Sequence, residues 1–114
     1  MKTTKTLIFL IFSFLGLTAS AKSSIDTLQF EVKGNCGMCK ERIEEALDVK
    51  GIKSAEWNEE TQMLTVVYDA SKITEIKIHE LVAEAGHDTP LKKAKKEVYD
   101  NLPGCCHYER EEGK

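Results

Sequence analysis

Three patterns predict an α+β fold, a βαββαβ sandwich with a four-stranded antiparallel sheet and two helices on one face. Residues Thr27–Lys33 alternate strictly between apolar and polar, the period of a half-buried strand. Two amphipathic stretches, from Cys39 and around Ile78, repeat their apolar residues at helical spacing. Between them lie two β-rich runs separated by a short polar turn. At 114 residues the chain has length for one domain.

Each element follows from local chemistry. Leu28, Phe30 and Val32 share one face of the first strand, and Gly34-Asn35 ends it. Ile43, Ala46 and Leu47 mark the first helix, with Glu41, Arg42, Glu44 and Glu45 toward water and Gly51 as its stop. Ile52–Asn58 is the second strand, with Ala55 and Trp57 on one face. Glu59–Gln62 is the turn and Met63–Tyr68 the third strand, so the pair forms a hairpin. Ile78, Leu81, Val82 and Ala85 define the second helix, which Gly86 caps. This composition places His79 on the wet side of that helix and Phe30, Trp57 and Met63 in the packing. A fourth strand over His87–Leu91 would complete the split βαβ pattern, although Pro90 confines it to an edge. Ala94–Leu102 has Val98 and Leu102 four apart, the mark of a short third helix that Pro103-Gly104 ends.

The two termini stand apart from this unit. Lys2 and Lys5 precede an apolar run from Leu7 to Leu17, followed by the small-residue site Ala19-Ser20-Ala21. That is the layout of a secretory signal peptide, and the run falls short of the ~20 residues a bilayer span needs. The expected division is signal peptide 1–21, domain 26–92 and tail 93–114, with export to the periplasm or outside the cell. No stable membrane insertion is expected after cleavage. The formal charge of −3 excludes the basic footprint of a nucleic-acid binder. Lys92, Lys93, Lys95 and Lys96 form a local basic cluster, read as a solvated face or as a docking patch for an acidic partner. No Ser/His/Asp set, phosphate loop or carboxylate pair suggests catalysis, so an enzyme is not expected.

The chemistry concentrates in Cys36-Gly37-Met38-Cys39, a C-x-x-C at a strand-to-helix junction. Free N–H groups and the positive helix end favour thiolates there. Two converging soft thiolates suit monovalent copper in near-linear coordination, whereas zinc normally takes four ligands. The same spacing serves a thioredoxin-type redox dithiol or a structural disulfide. The motif follows the first strand of the domain and no proline lies near it, which weighs toward metal.

Val32 to Leu47, Gly51-Ile52-Lys53-Ser54-Ala55, Leu64 to Asp69 and Glu84-Ala85-Gly86-His87 together resemble the heavy-metal-associated domain. The resemblance implies a ferredoxin-like sandwich and ligation by Cys36 and Cys39. It also implies copper(I) as the first expected ion, with mercury(II) or zinc(II) behind it, and a metal-transporting ATPase or efflux component as partner. The chain departs from the family pattern at two places. Gly34 stands where the family usually has Met, two residues before the first Cys. His87 stands where many bacterial members have Tyr, making it a candidate third ligand or proton-dependent gate.

Beyond the domain, Asn101 to Tyr108 resembles the Pro-x-Cys-Cys tails of secreted proteins of this family. Cys105, Cys106 and His107 are further candidate ligands. They can form a second site, fold back onto Cys36 and Cys39, or enter a disulfide, and four cysteines allow three pairings. The expected function is a soft-metal chaperone or scavenger. A thiol–disulfide oxidoreductase and an interaction module with locked cysteines are the alternatives.

Overall fold

The computed structural model describes residues 24–110; the expected signal peptide, 1–21, lies outside them. Strand β1 (Ile25–Glu31) is followed by helix α1 (Gly37–Ala46), strands β2 (Ile52–Trp57) and β3 (Met63–Asp69), and helix α2 (Glu75–Glu84). A short helix α3 (Lys96–Asp100) and a 3₁₀ turn (Gly104–Cys106) complete the described chain. The alternation and the helical spacing thus produce the elements they predict, with ends shifted by one or two residues, except that α1 ends at Ala46 with Leu47 as its C-cap, short of the Gly51 expected to stop it.

The sheet has the order β1-β3-β2 with both pairings antiparallel. Phe30 pairs with Leu64 on one side and Trp57 with Leu64 on the other, so three buried side chains lie in one row across the sheet. An irregularity between Ile52 and Ser54 in β2 shifts the register. It brings Ile52 to the core face together with Ala55 and Trp57. Ile43 of α1, Leu47 at its C-cap, and Ile78 and Val82 of α2 close the core from above, each essentially inaccessible. Thr74 caps α2 by accepting the Lys77 N–H at 3.2 Å. No helix among the described residues is long and apolar enough to cross a membrane.

The expected fourth strand over 87–91 does not form among the described residues. One ladder bond survives, from Lys33 N–H to the Asp88 carbonyl at 3.1 Å. Immediately afterwards Thr89 turns the chain. Its N–H donates to the Lys92 carbonyl at 2.8 Å, and its hydroxyl oxygen accepts from the N–H groups of Leu91 and Lys92. Pro90 has no N–H to offer a neighbour, and the Asp88 carboxylate accepts from Ala94 N–H at 2.7 Å. Turn chemistry at 88–92 therefore outcompetes continuation of the ladder.

His79 is the second correction. It is 2% exposed rather than solvated. Its ring stacks on Phe30 at 3.9 Å between centroids, and Nδ1 lies 2.6 Å from Thr89 Oγ1. The buried face of α2 includes Ala83 as well as Ile78 and Val82, and His79 lies one turn before Ala83 on that face.

The tail is part of the fold. Leu102, Cys106 and Tyr108 are buried in the main core cluster. Gly86 has φ 106°, and a Cβ there would meet Leu102 Cδ2 at 2.8 Å. The Tyr108 hydroxyl donates to the Gly86 carbonyl at 2.7 Å and accepts from Asp88 N–H at 3.0 Å. Arg110 makes a two-pronged pair with Asp88, both contacts at 2.9 Å, and donates to the Ala94 carbonyl at 2.6 Å. Its guanidinium lies 4.9 Å from the Tyr99 ring centroid.

Candidate metal site

The loop carrying the C-x-x-C is fixed from three sides. The Gln62 side-chain amide donates to the Gly34 carbonyl at 2.6 Å. Val32 N–H donates to the Gln62 carbonyl at 2.9 Å. Gln62 itself takes φ 61°, so the β2–β3 turn is shaped to reach this loop. The Trp57 indole N–H donates to the Val32 carbonyl at 3.0 Å. A Cβ on Gly34 would stand 2.9 Å from Trp57 Cζ2 and 3.2 Å from Cys39 Cβ. Trp57 thus closes around the absence of a side chain at Gly34.

Cys36 is the N-cap of α1 and Cys39 lies in its first turn. Their sulfurs are 3.6 Å apart. Cys39 is fully buried, and its sulfur accepts Asn35 N–H at 3.4 Å. The tail brings two further thiols to the same place. Cys105 Sγ lies 3.2 Å from Cys36 Sγ, and Cys106 Sγ lies 3.9 Å from Cys36 and 3.9 Å from Cys105. The sulfurs of Cys36, Cys39 and Cys106 all fall within 4.8 Å of one another. Met38, 51% exposed, sets its Sδ 3.5 Å from Cys105 Sγ. All four cysteines are free thiols. Of the three arrangements open to the tail, the structure takes the one that folds back.

Three of the thiols differ in their acid–base character. The Cys105 thiol beside it lowers Cys36 from 9.0 to about 7, against a desolvation that acts the other way; Cys39 and Met38 N–H groups add to the lowering. Cys105 is raised, chiefly by the same contact with Cys36. Burial pushes Cys106 up, helped by its contacts with Cys39 and Cys36. A half-exposed sulfur of lowered pKa, Cys36, therefore sits beside Cys105 and Cys106, which hold their protons more tightly.

The two histidine candidates stand away from the sulfurs. His87 is fully buried; its Nδ1–H donates to the Lys33 carbonyl at 2.7 Å and its ring stacks on Tyr108. Burial lowers its pKa, and its Nε2 has no hydrogen-bond partner. It belongs to the packing between domain and tail. His107 is exposed and packs on Tyr99 at 5.1 Å between centroids. Neither joins the thiol group. Gln62 and Tyr108 position the site, and the sequence pattern alone does not single them out. The positive φ of Gln62 leaves no mark on the polar turn Glu59–Gln62, and Tyr108 belongs to no periodic stretch.

Comparison with known proteins agrees with this geometry. Residues 29–88 match the family model of the heavy-metal-associated domain, and the chain belongs to that family. A zinc-transporting ATPase of Synechocystis is 39% identical over 67 residues, 57% of this chain but only 9% of that protein. The copper chaperone CopZ of Staphylococcus aureus is 36% identical over 55 residues, 47% of this chain and 81% of that one. A solved CopZ metallochaperone superposes with a TM-score of 0.54 at 32% identity, covering 56% of this chain and 98% of that one.

Proposed function

We propose that this member of the heavy-metal-associated family carries a soft metal ion, copper(I) first, as a chaperone or scavenger outside the cytoplasm. Cys36 and Cys39 are the primary ligands. The observation that carries the reading is the thiol cluster at the start of α1, with Cys36 and Cys39 sulfurs 3.6 Å apart and Cys106 completing a triangle. Soft thiolates at two or three coordination favour a monovalent d¹⁰ ion.

Transfer is ligand exchange. Cys36, half-exposed and of low pKa, is the thiol a partner's cysteine meets first. The buried Cys39 keeps the ion while Cys36 lets go, so the ion is never released to water. No covalent chemistry on a substrate is required. Relatives named as a copper chaperone and a zinc-transporting ATPase support a metal-transporting ATPase as the receiving partner. The apolar run and Ala19-Ser20-Ala21 support export.

Native mass spectrometry of the reduced protein loaded with copper(I), with zinc(II) and mercury(II) in parallel, tests this reading. One copper per chain that disappears in Cys36→Ser/Cys39→Ser supports it. Equal loading of both proteins would remove the C-x-x-C as the site. The thiol–disulfide alternative rests on the lowered Cys36 with Cys105 at 3.2 Å; it requires turnover in an insulin-reduction assay, where the metal reading expects none.

A further inference from the structure

A tetrahedral ion bound by four sulfurs at ~2.3 Å holds those sulfurs about 3.8 Å apart. The sulfur separations here are 3.6 Å for Cys36–Cys39, 3.2 Å for Cys36–Cys105, 3.9 Å for Cys36–Cys106 and 3.9 Å for Cys105–Cys106. Cys39 and Cys106 fall within the mutual 4.8 Å set. Cys105 reaches Cys36 and Cys106 but not Cys39, the one pair of the six left open. It is also the one exposed member, on a 3₁₀ turn of three residues whose leading Gly104 has open space around it. The turn is held on both flanks, by Leu102 against Gly86 and by Tyr108 hydrogen-bonded to Gly86 and Asp88. Closing the fourth side therefore needs only a local adjustment at Cys105.

We propose that Cys36, Cys39, Cys105 and Cys106 form a closed four-thiolate site for a single tetrahedral divalent ion of the zinc class. This rests on reading the cluster as a soft-metal site, and it extends that reading to a second loading mode. A monovalent ion satisfied by two or three thiolates leaves a position open for a partner's sulfur. A divalent ion enclosed by four leaves none. The tail makes the same pocket an exchanging site for one charge state and a retaining site for the other.

Cobalt(II) added to the reduced protein is the probe, because its visible ligand-field bands report tetrahedral coordination and its sulfur-to-cobalt charge transfer scales with the number of thiolates. The expected result is one cobalt per chain with four-thiolate intensity, falling by a quarter in Cys105→Ser. Zinc affinity, from competition with a chelator, should fall in that variant by roughly tenfold or more, which is about 1.4 kcal/mol. Cys105 is exposed, so its replacement does not threaten the fold; Cys106→Ser, checked by circular dichroism, is the second arm. Two- or three-thiolate intensity in the unaltered protein, or a Cys105→Ser spectrum identical to it, overturns the proposal. Copper(I) retention by Cys105→Ser/Cys106→Ser is read separately: its loss would count against Cys36 and Cys39 as a sufficient primary site, not against the four-thiolate geometry.

Discussion

Replacing Tyr108 by Phe removes one oxygen and tests whether the tail is locked to the domain. The ring stays, with its stack on His87 at 5.6 Å and its edge contact with Tyr99 at 5.0 Å. What goes is a hydroxyl that donates to the Gly86 carbonyl and accepts from Asp88 N–H. Both backbone groups lie in buried residues. A hydrogen bond contributes about 1 kcal/mol net, and a buried group left unpaired costs ~1–3 kcal/mol. Two such groups put the loss at about 2 kcal/mol or somewhat more. For a domain of this size that lowers the melting temperature by on the order of 10 °C. The cost has a ceiling: if it exceeds the docking energy of the tail, the tail lifts off and water satisfies both groups. Thermal denaturation monitored by circular dichroism gives the first number. The labelling rate of Cys106, 0% exposed in the docked state, gives the second. A melting point within a degree of the parent, with Cys106 equally protected, would refute the claim that this hydroxyl holds the tail.

Other substitutions and conditions probe the rest of the frame. Gly34→Ala should destabilise the protein by about 1–3 kcal/mol, read as a lower denaturant midpoint, because its Cβ would meet the Trp57 ring at 2.9 Å. Stability should fall as pH drops below 6.5. Burial lowers His79 and His87 from that value, so the unfolded chain takes up protons that the native one refuses; the slope approaches about 1.4 kcal/mol per pH unit for each histidine, and His79→Phe should flatten it. Alkylation of Cys36, followed by peptide mapping, should rise with pH through a midpoint near 7. In Cys105→Ala that midpoint should move up toward 9, since Cys105 is the chief cause of the lowering.

The domain was legible because its elements carry their own periodicity. Leu28, Phe30 and Val32 alternate, Ile43 and Leu47 recur at helical spacing, and all but the half-buried Leu28 are core residues. Cys36 and Cys39 were legible because the C-x-x-C is local. His79 was misplaced because a polar residue beside an apolar stripe reads as solvated, while the ring of Phe30 that covers it lies 49 positions away in sequence. The fourth strand was read from a topological pattern that needs it, against Pro90 and a turn whose bonds run from Thr89 to Lys92. The tail shows the limit most plainly. Its partners, Gly86 and Asp88, sit 22 positions from Tyr108 and Arg110, and no periodicity spans that gap. For the same reason, cutting the chain after Leu102 would remove core packing as well as two thiols, so single Cys-to-Ser changes separate ligation from folding more cleanly than truncation does.

The account rests on copper(I) held by Cys36 and Cys39, and competition against a coloured copper(I) chelator measures it most directly. The reduced protein should withdraw copper(I) from the chelator with one ion per chain, and Cys36→Ser/Cys39→Ser should leave the chelator's colour unchanged. Equal withdrawal by both proteins, or none by either, would contradict it.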